Sequence, residues 1–270
     1  MGIVNVTPDS FSDGGQHDDS ASALRHCERL LKDGADILDI GGESTRPGSP
    51  AVPLQAELAR VLPVVREAVR FGVPISVDTY KPELMAAALD LGADIINDVW
   101  ALRRAGQAGG PDALDVVQAH PSCGVCLMHM HRDPQTMQAA PMAGDAVPQV
   151  RAFLRQAAEA LLARGVQRSR IVLDPGIGFG KTVAQNFALL ARQEELLADG
   201  YPLLAGWSRK SSIGAALPGG APPPSDRVAG SVAAALMAVE RGARIVRVHD
   251  VRETAQALAV WRQVQAALPR

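Results

Sequence analysis

Arg247 and His249 stand two residues apart in Ile245-Val-Arg-Val-His249, so in a strand both side chains leave from one face. With Ser208, Arg209 and Lys210 of Ser208-Arg-Lys-Ser-Ser212, they supply the cations and donors of an anion site. Arg247 interrupts an otherwise apolar run, and a buried guanidinium needs a partner. Asp78 and Asp174 pose the opposite problem. Each closes an apolar run, Ile75-Ser-Val-Asp78 and Ile171-Val-Leu-Asp174, with no Lys or Arg beside it, so each needs a donor from a ligand or from elsewhere in the fold. Asn97 in Ile95-Ile-Asn-Asp98 and Asn5 at the end of Gly2-Ile-Val-Asn5 are further polar groups at the ends of apolar runs.

Two motifs suggest chemistry that their details disfavour. Asp174-Pro-Gly-Ile-Gly-Phe-Gly-Lys-Thr182 approaches a phosphate-binding P-loop, but Pro175 occupies the position of its first glycine. The glycines more readily let backbone and Phe179 lie close to a flat ligand. Cys123, Cys126, His129 and His131 offer thiols and imidazoles for zinc. In a strand, however, Cys126, Met128 and Met130 share one face and Cys123, His129 and His131 the other, which favours packing over ligation.

The elements that must position these groups follow from periodicity. Short β-branched runs alternate with longer amphipathic stretches, giving strands at 2–5, 37–40, 74–78, 95–98, 124–130, 171–174, 203–206 and 245–249 with helices between them. Asp33-Gly-Ala-Asp36, Leu91-Gly-Ala-Asp94 and Arg241-Gly-Ala-Arg244 repeat one phrase, in which Gly supplies the left-handed stop of a helix before the next strand. Eight strand-helix units in 270 residues predict a single-domain (β/α)8 barrel spanning the chain, and the polar residues fall where such barrels build their sites, just after the strands. A formal net charge of −2 leaves no basic field for nucleic acid, and no apolar run is long enough to span a bilayer. Three cysteines without an export signal fit reduced thiols in the cytoplasm.

Several of these segments together resemble the dihydropteroate synthases: Gly2-Ile-Val-Asn-Val-Thr-Pro-Asp-Ser-Phe-Ser-Asp-Gly-Gly15, Gly41-Gly-Glu-Ser-Thr-Arg-Pro-Gly48, Ser76-Val-Asp-Thr79, Ile95-Ile-Asn-Asp98, Leu127-Met-His-Met130, Leu173-Asp-Pro-Gly176, Ser208-Arg-Lys-Ser211 and Arg247-Val-His249. The family condenses a dihydropterin methyl diphosphate with p-aminobenzoate, releases pyrophosphate, serves folate biosynthesis and is the sulfonamide target. The resemblance implies a pterin held by Asp78, Asn97, Asp174 and Lys210, with Met128 lining the pocket and Arg247 stacking on the ring. It implies pyrophosphate at Asn5, Arg247 and His249, and Mg2+ near Asn5 and Asp13. It implies p-aminobenzoate among Phe11, Thr45, Arg46, Pro47, Phe179, Lys210 and Ser211. Asp78, Asp174, Lys210, Arg247 and His249 are then the catalytic set, and the family's usual assembly is a homodimer.

Tyr80 and Trp207 depart from the family pattern as bulky residues near the rim, where they are expected to alter pocket shape or access. Family members usually carry a leading segment over the barrel floor. In this sequence the first strand opens at Gly2, and a version extended by such a segment is expected to be more stable. Two other functions remain open at this point: a pterin-binding domain that transfers a methyl group from a folate to a corrinoid protein, and a barrel that binds pterin without catalysis.

Overall fold

The computed structural model describes residues 1–7, 16–44 and 48–268. Phe11, Asp13, Thr45, Arg46 and Pro47 lie outside them. The strands are β1 (Gly2–Asn5), β2 (Leu38–Gly41), β3 (Ile75–Asp78), β4 (Ile95–Asp98), β5 (Gly124–Met128), β6 (Ile171–Asp174), β7 (Leu204–Ala205) and β8 (Ile245–Val246). Strands β1 to β6 run parallel in sequence order, and β7 pairs with β8 in the same sense. Parallel bridges between Leu173 and Leu203 and between Gly2 and Val248 join the two sheets on both sides, so eight strands close into one ring.

The helices are α1 (Gln16–Lys32), α2 (Leu54–Ala68), α3 (Pro82–Asp90), α4 (Ala113–Ala119), α5 (Ala146–Ala163), α6 (Val183–Ala191), α7 (Gln193–Leu197), α8 (Ser211–Ala216), α9 (Val228–Glu240) and α10 (Val251–Ala266). The predicted glycine stops hold. Gly34, Gly92 and Gly242 have φ of 101°, 101° and 92°. The next residue in each phrase closes a six-residue bond back into its helix, as Ala93 N does to Ala88 O at 3.0 Å.

The last two strands are shorter than expected. Beyond β8 the backbone stays extended but alternates its partners, Arg247 N donating to Ala205 O of β7 at 3.1 Å and Val248 N to Met1 O at 3.0 Å. Ile3 N returns a bond to Val248 O at 3.0 Å. A run that bonds left and right in turn closes the barrel without forming a long ladder on either side.

The period of two along each strand sorts residues by height and side. Odd positions of β1 and their counterparts point inward: Met1, Ile95, Cys126, Val172, Leu204 and Ile245 line a cavity at the barrel floor. Two residues further on, Ile3, Asn97, Met128, Asp174, Gly206 and Arg247 line a cleft at the opposite end. Intervening residues such as Val4, Ile40, Val77, Ile96, Leu127 and Leu173 are buried in the core between strands and helices. Along β4, β6 and the run that follows β8, the step from floor to rim is a step from apolar to polar side chains, while Ile3, Met128 and Gly206 keep the rest of the lining apolar.

Candidate active site

Asp39 and Asp78 grip the guanidinium of Arg247. Its Nε donates to Asp39 Oδ2 at 2.5 Å and its Nη2 to Asp78 Oδ2 at 2.7 Å. Asn97 Nδ2 donates to the same Asp39 oxygen at 3.2 Å. Asp39 is fully buried in β2, one layer below the rim, so the charge that anchors Arg247 lies beneath the cleft and the one beside the cleft is Asp78. Across the opening, Asp174 at the tip of β6 accepts from Gly176 N at 2.7 Å. Lys210, at the start of α8, reaches over to donate to Ile177 O and stands 4.8 Å from the centre of the Phe179 ring. His249 Nδ1 and Ser208 Oγ are 2.9 Å apart, and His249 N donates to the same hydroxyl at 3.1 Å.

These groups share a low-dielectric wall, and their proton affinities record it. Burial raises the Asp78 carboxyl to about 7; Arg247 opposes the rise and Asp39 adds to it. Burial also raises Asp174, against the pull of Lys210 and of the Gly176 N–H. Lys210 is pushed down by burial to about 8, with Asp174 pulling it back up and Arg247 adding to the fall. For Arg247 burial acts downward, but Asp39 and Asp78 outweigh it and hold the guanidinium above its ordinary value. A ligand that offers N–H donors to the two carboxylates, and negative charge to the cations, relieves the cost of this arrangement. Apolar surface for a flat ring comes from Val99, Met128 and Phe179, which belong to one cluster with Met130 and Met137.

The floor cavity encloses more space, about 580 Å3 against about 460 Å3 at the rim. Its guanidinium, Arg170, is spent on the carbonyls of Cys123, Val117 and His120 at 2.6, 2.9 and 2.9 Å. Convergent ionisable groups therefore single out the rim.

Residues 1–249 match the family of pterin binding enzymes. Dihydropteroate synthase of Neisseria meningitidis is 52% identical over 266 residues, covering 97% of this chain and 90% of that protein. The chain belongs to the dihydropteroate synthase family. Among solved structures, the dihydropteroate synthase of Xanthomonas albilineans with 4-aminobenzoic acid has a TM-score of 0.90 at 50% identity, covering 100% of this chain and 93% of that one. That of Burkholderia cenocepacia complexed with 7,8-dihydropteroate has a TM-score of 0.87 at 52% identity, covering 99% and 91%. Both confirm the (β/α)8 barrel.

Of the residues singled out from the sequence, the fold brings Asp78, Asn97, Met128, Asp174, Phe179, Lys210, Arg247 and His249 to one cleft. Asn5 lies outside that lining, at the tip of β1 beside Gly41, and Ser211 is exposed at the first residue of α8. Phe11, Asp13, Thr45, Arg46 and Pro47 fall outside the described residues. Arg209 does not join the anion site: φ of 58° turns it away, and Asp250 takes its Nη2 at 2.5 Å and its Nε at 3.1 Å. Trp207 is a second correction. It is buried in the outer core, 5.3 Å from the Phe187 ring of α6, so it shapes no access. Tyr80 stands outside the cleft too, its hydroxyl donating to Glu43 Oε1 at 3.0 Å. Asp39 was missed, although it interrupts an apolar strand as plainly as Arg247 does. The cysteine-histidine run does not converge: Cys126 faces the floor cavity, while His129 packs edge-on against Phe153 of α5 at 4.9 Å.

Proposed function

We propose that the rim cleft joins (7,8-dihydropterin-6-yl)methyl diphosphate to p-aminobenzoate, giving 7,8-dihydropteroate and pyrophosphate. The observation that carries this reading is the Asp39–Arg247–Asp78 ion triad facing Asp174 and Lys210 across an apolar-walled cleft. A pterin presents a flat face and an edge of donors and acceptors. Asp78, Asn97 and Asp174 meet the edge, Met128 the face, and Arg247 stacks on the ring with its charge toward the diphosphate. Lys210 and Phe179 form the wall for p-aminobenzoate, with Ser211 at its outer end.

The bond from the pterin methylene to the diphosphate oxygen breaks first, its electron pair leaving with pyrophosphate. Arg247, with His249 held by Ser208, neutralises the departing charge, while anionic Asp78 and Asp174 stabilise the cationic methylene. The neutral amine of p-aminobenzoate then attacks and afterwards releases a proton. A strong base is not required, because an aniline nitrogen is already unprotonated at neutral pH. The residues' work is to align it and exclude water.

Mg2+ is part of this proposal. Among the described residues no three His, Cys, Asp or Glu side chains gather into a metal site. The reading gives the ion mainly diphosphate oxygens and water, with the neutral carboxamide of Asn5 and the carboxylate of Asp13, which lies outside the described residues, as its protein ligands. When bound, the ion supplies charge neutralisation for the leaving group.

Incubating the protein with the pterin diphosphate, p-aminobenzoate and Mg2+ tests the function. Pyrophosphate and dihydropteroate are expected in equal amounts, with both lost when either substrate is omitted and strongly reduced by a chelator or by Asp13→Ala. Tight pterin binding without either product would leave only a binding barrel, and full turnover in Asp13→Ala at saturating Mg2+ would remove that residue from the metal's environment.

A homodimer and a cytoplasmic setting complete the reading. Val260, Val264 and Leu268 are 67%, 56% and 55% exposed at a spacing of four residues along and just beyond α10, an apolar stripe suited to a second copy. Sedimentation at twice the chain mass of 28.4 kDa is the expected result, and a monomer at micromolar concentration would exclude it. All three cysteines are buried and free, as a reducing compartment would keep them.

A further inference from the structure

Lys181 follows the three glycines of the β6 loop and is only 3% exposed. Its ammonium has three hydrogens and spends them on three backbone carbonyls: Gly176 at 2.8 Å, Phe179 at 3.2 Å and His129 at 3.3 Å. It is therefore turned away from any phosphate. Two of these carbonyls belong to the β6 loop and the third follows β5, so one side chain ties the two segments together. The glycines make the approach possible. At Gly176, φ 66°, a Cβ would sit 1.9 Å from His129 O, and at Gly180, φ 69°, 2.6 Å from His131 O. The remaining carbonyl between Gly176 and Phe179 that meets a lysine is that of Ile177, which accepts from Lys210 Nζ. Lys181 from inside and Lys210 from the cleft thus hold the same short loop.

We propose that Lys181 is a positioning residue for the p-aminobenzoate half of the site: by filling the carbonyls of Gly176, Phe179 and His129 it fixes the Phe179 ring and the Ile177 carbonyl where Lys210 meets both. This rests on the reading of Phe179 and Lys210 as the p-aminobenzoate wall. Lys181 itself touches no substrate. Burial pushes its proton affinity down to about 7, against the pull of Asp174, so the position costs the fold something that a surface lysine would not.

Steady-state kinetics on the full chain tests the role. Lys181→Met is expected to raise KM for p-aminobenzoate about tenfold, with kcat within about threefold and KM for the pterin diphosphate unchanged. Phe179→Ala raises the same KM, and the double variant is no worse than the more affected single one, because both changes disable one device. Lys181→Gln keeps two N–H donors and falls between wild type and Lys181→Met; it carries the comparison should the methionine variant fail to fold. An unchanged KM in a folded Lys181 variant beside a raised one in Phe179→Ala overturns the positioning role, as does full additivity in the double variant. An unchanged KM in Phe179→Ala overturns the placement of p-aminobenzoate instead.

Discussion

Replacing Arg247 by methionine is expected to lower kcat/KM by at least about 1000-fold, the scale of losing a preorganised charge aimed at a leaving group. Stability falls as well. The guanidinium is the partner of both Asp39 and Asp78, and removing one member of a buried ion pair costs about 3 kcal/mol or more, because the remaining charges are left uncompensated. The two effects separate with pH. Burial raises Asp78 to about 7 against the pull of Arg247, so above that value it is anionic in the wild type, and without the guanidinium its proton affinity rises further. Above about 7 the variant's native state therefore keeps a proton that the wild type has lost, and its stability deficit relative to wild type shrinks as the pH falls toward 7 and levels off below it. Thermal melts at pH 6 and pH 8 read this directly: a deficit that does not depend on pH would mean that the carboxylates are not what Arg247 compensates. Turnover stays lost at both values.

Asp174→Asn is expected to be as severe for catalysis and mild for stability. The amide oxygen can still accept from Gly176 N, so the turn after β6 keeps its hydrogen bond, and the cost of burying a carboxylate disappears. What is lost is negative charge next to a methylene that becomes cationic, together with an acceptor that now becomes an N–H facing the pterin's own donors. A fall of about 1000-fold in kcat/KM is expected, shared between weaker pterin binding and slower chemistry. A secondary signature identifies the cause. Asp174 is the foremost influence holding Lys210 up against burial at about 8, so in the variant Lys210 loses its proton at lower pH and the alkaline limb of the pH–rate profile moves down. Near-wild-type turnover would show that Asp174 is only a structural end to the strand.

The barrel was legible because its strands repeat one alternation, apolar outward against a helix, and β3, β4, β6 and the run after β8 turn polar near their ends. The glycine phrases at residues 34, 92 and 242 added the turn chemistry that separates helix from strand. Less legible were β7 and β8, where pairing is spread between two neighbours and the periodic run overstates the ladder. Within the site, charges that break an apolar strand were reliable guides. Arg247 was read that way, and Asp39 obeys the same argument. Asp250 holds Arg209 from 41 positions away, and sequence proximity to Lys210 could not reveal that partnership. Lys181 was visible only as a failed P-loop; three carbonyls, which carry no sequence signature, explain it.

In the proposed mechanism the cleft promotes departure of pyrophosphate and leaves attack to an intrinsically competent amine. The secondary deuterium isotope effect at the pterin methylene, measured on kcat/KM for the pterin diphosphate at low commitment, tests it most directly. A clearly normal effect is predicted, as the carbon flattens toward a cation before the new bond forms. An effect of unity, with a rate that tracks the basicity of substituted anilines, would show that the amine displaces pyrophosphate in one step and would contradict the roles given to Asp78, Asp174 and Arg247.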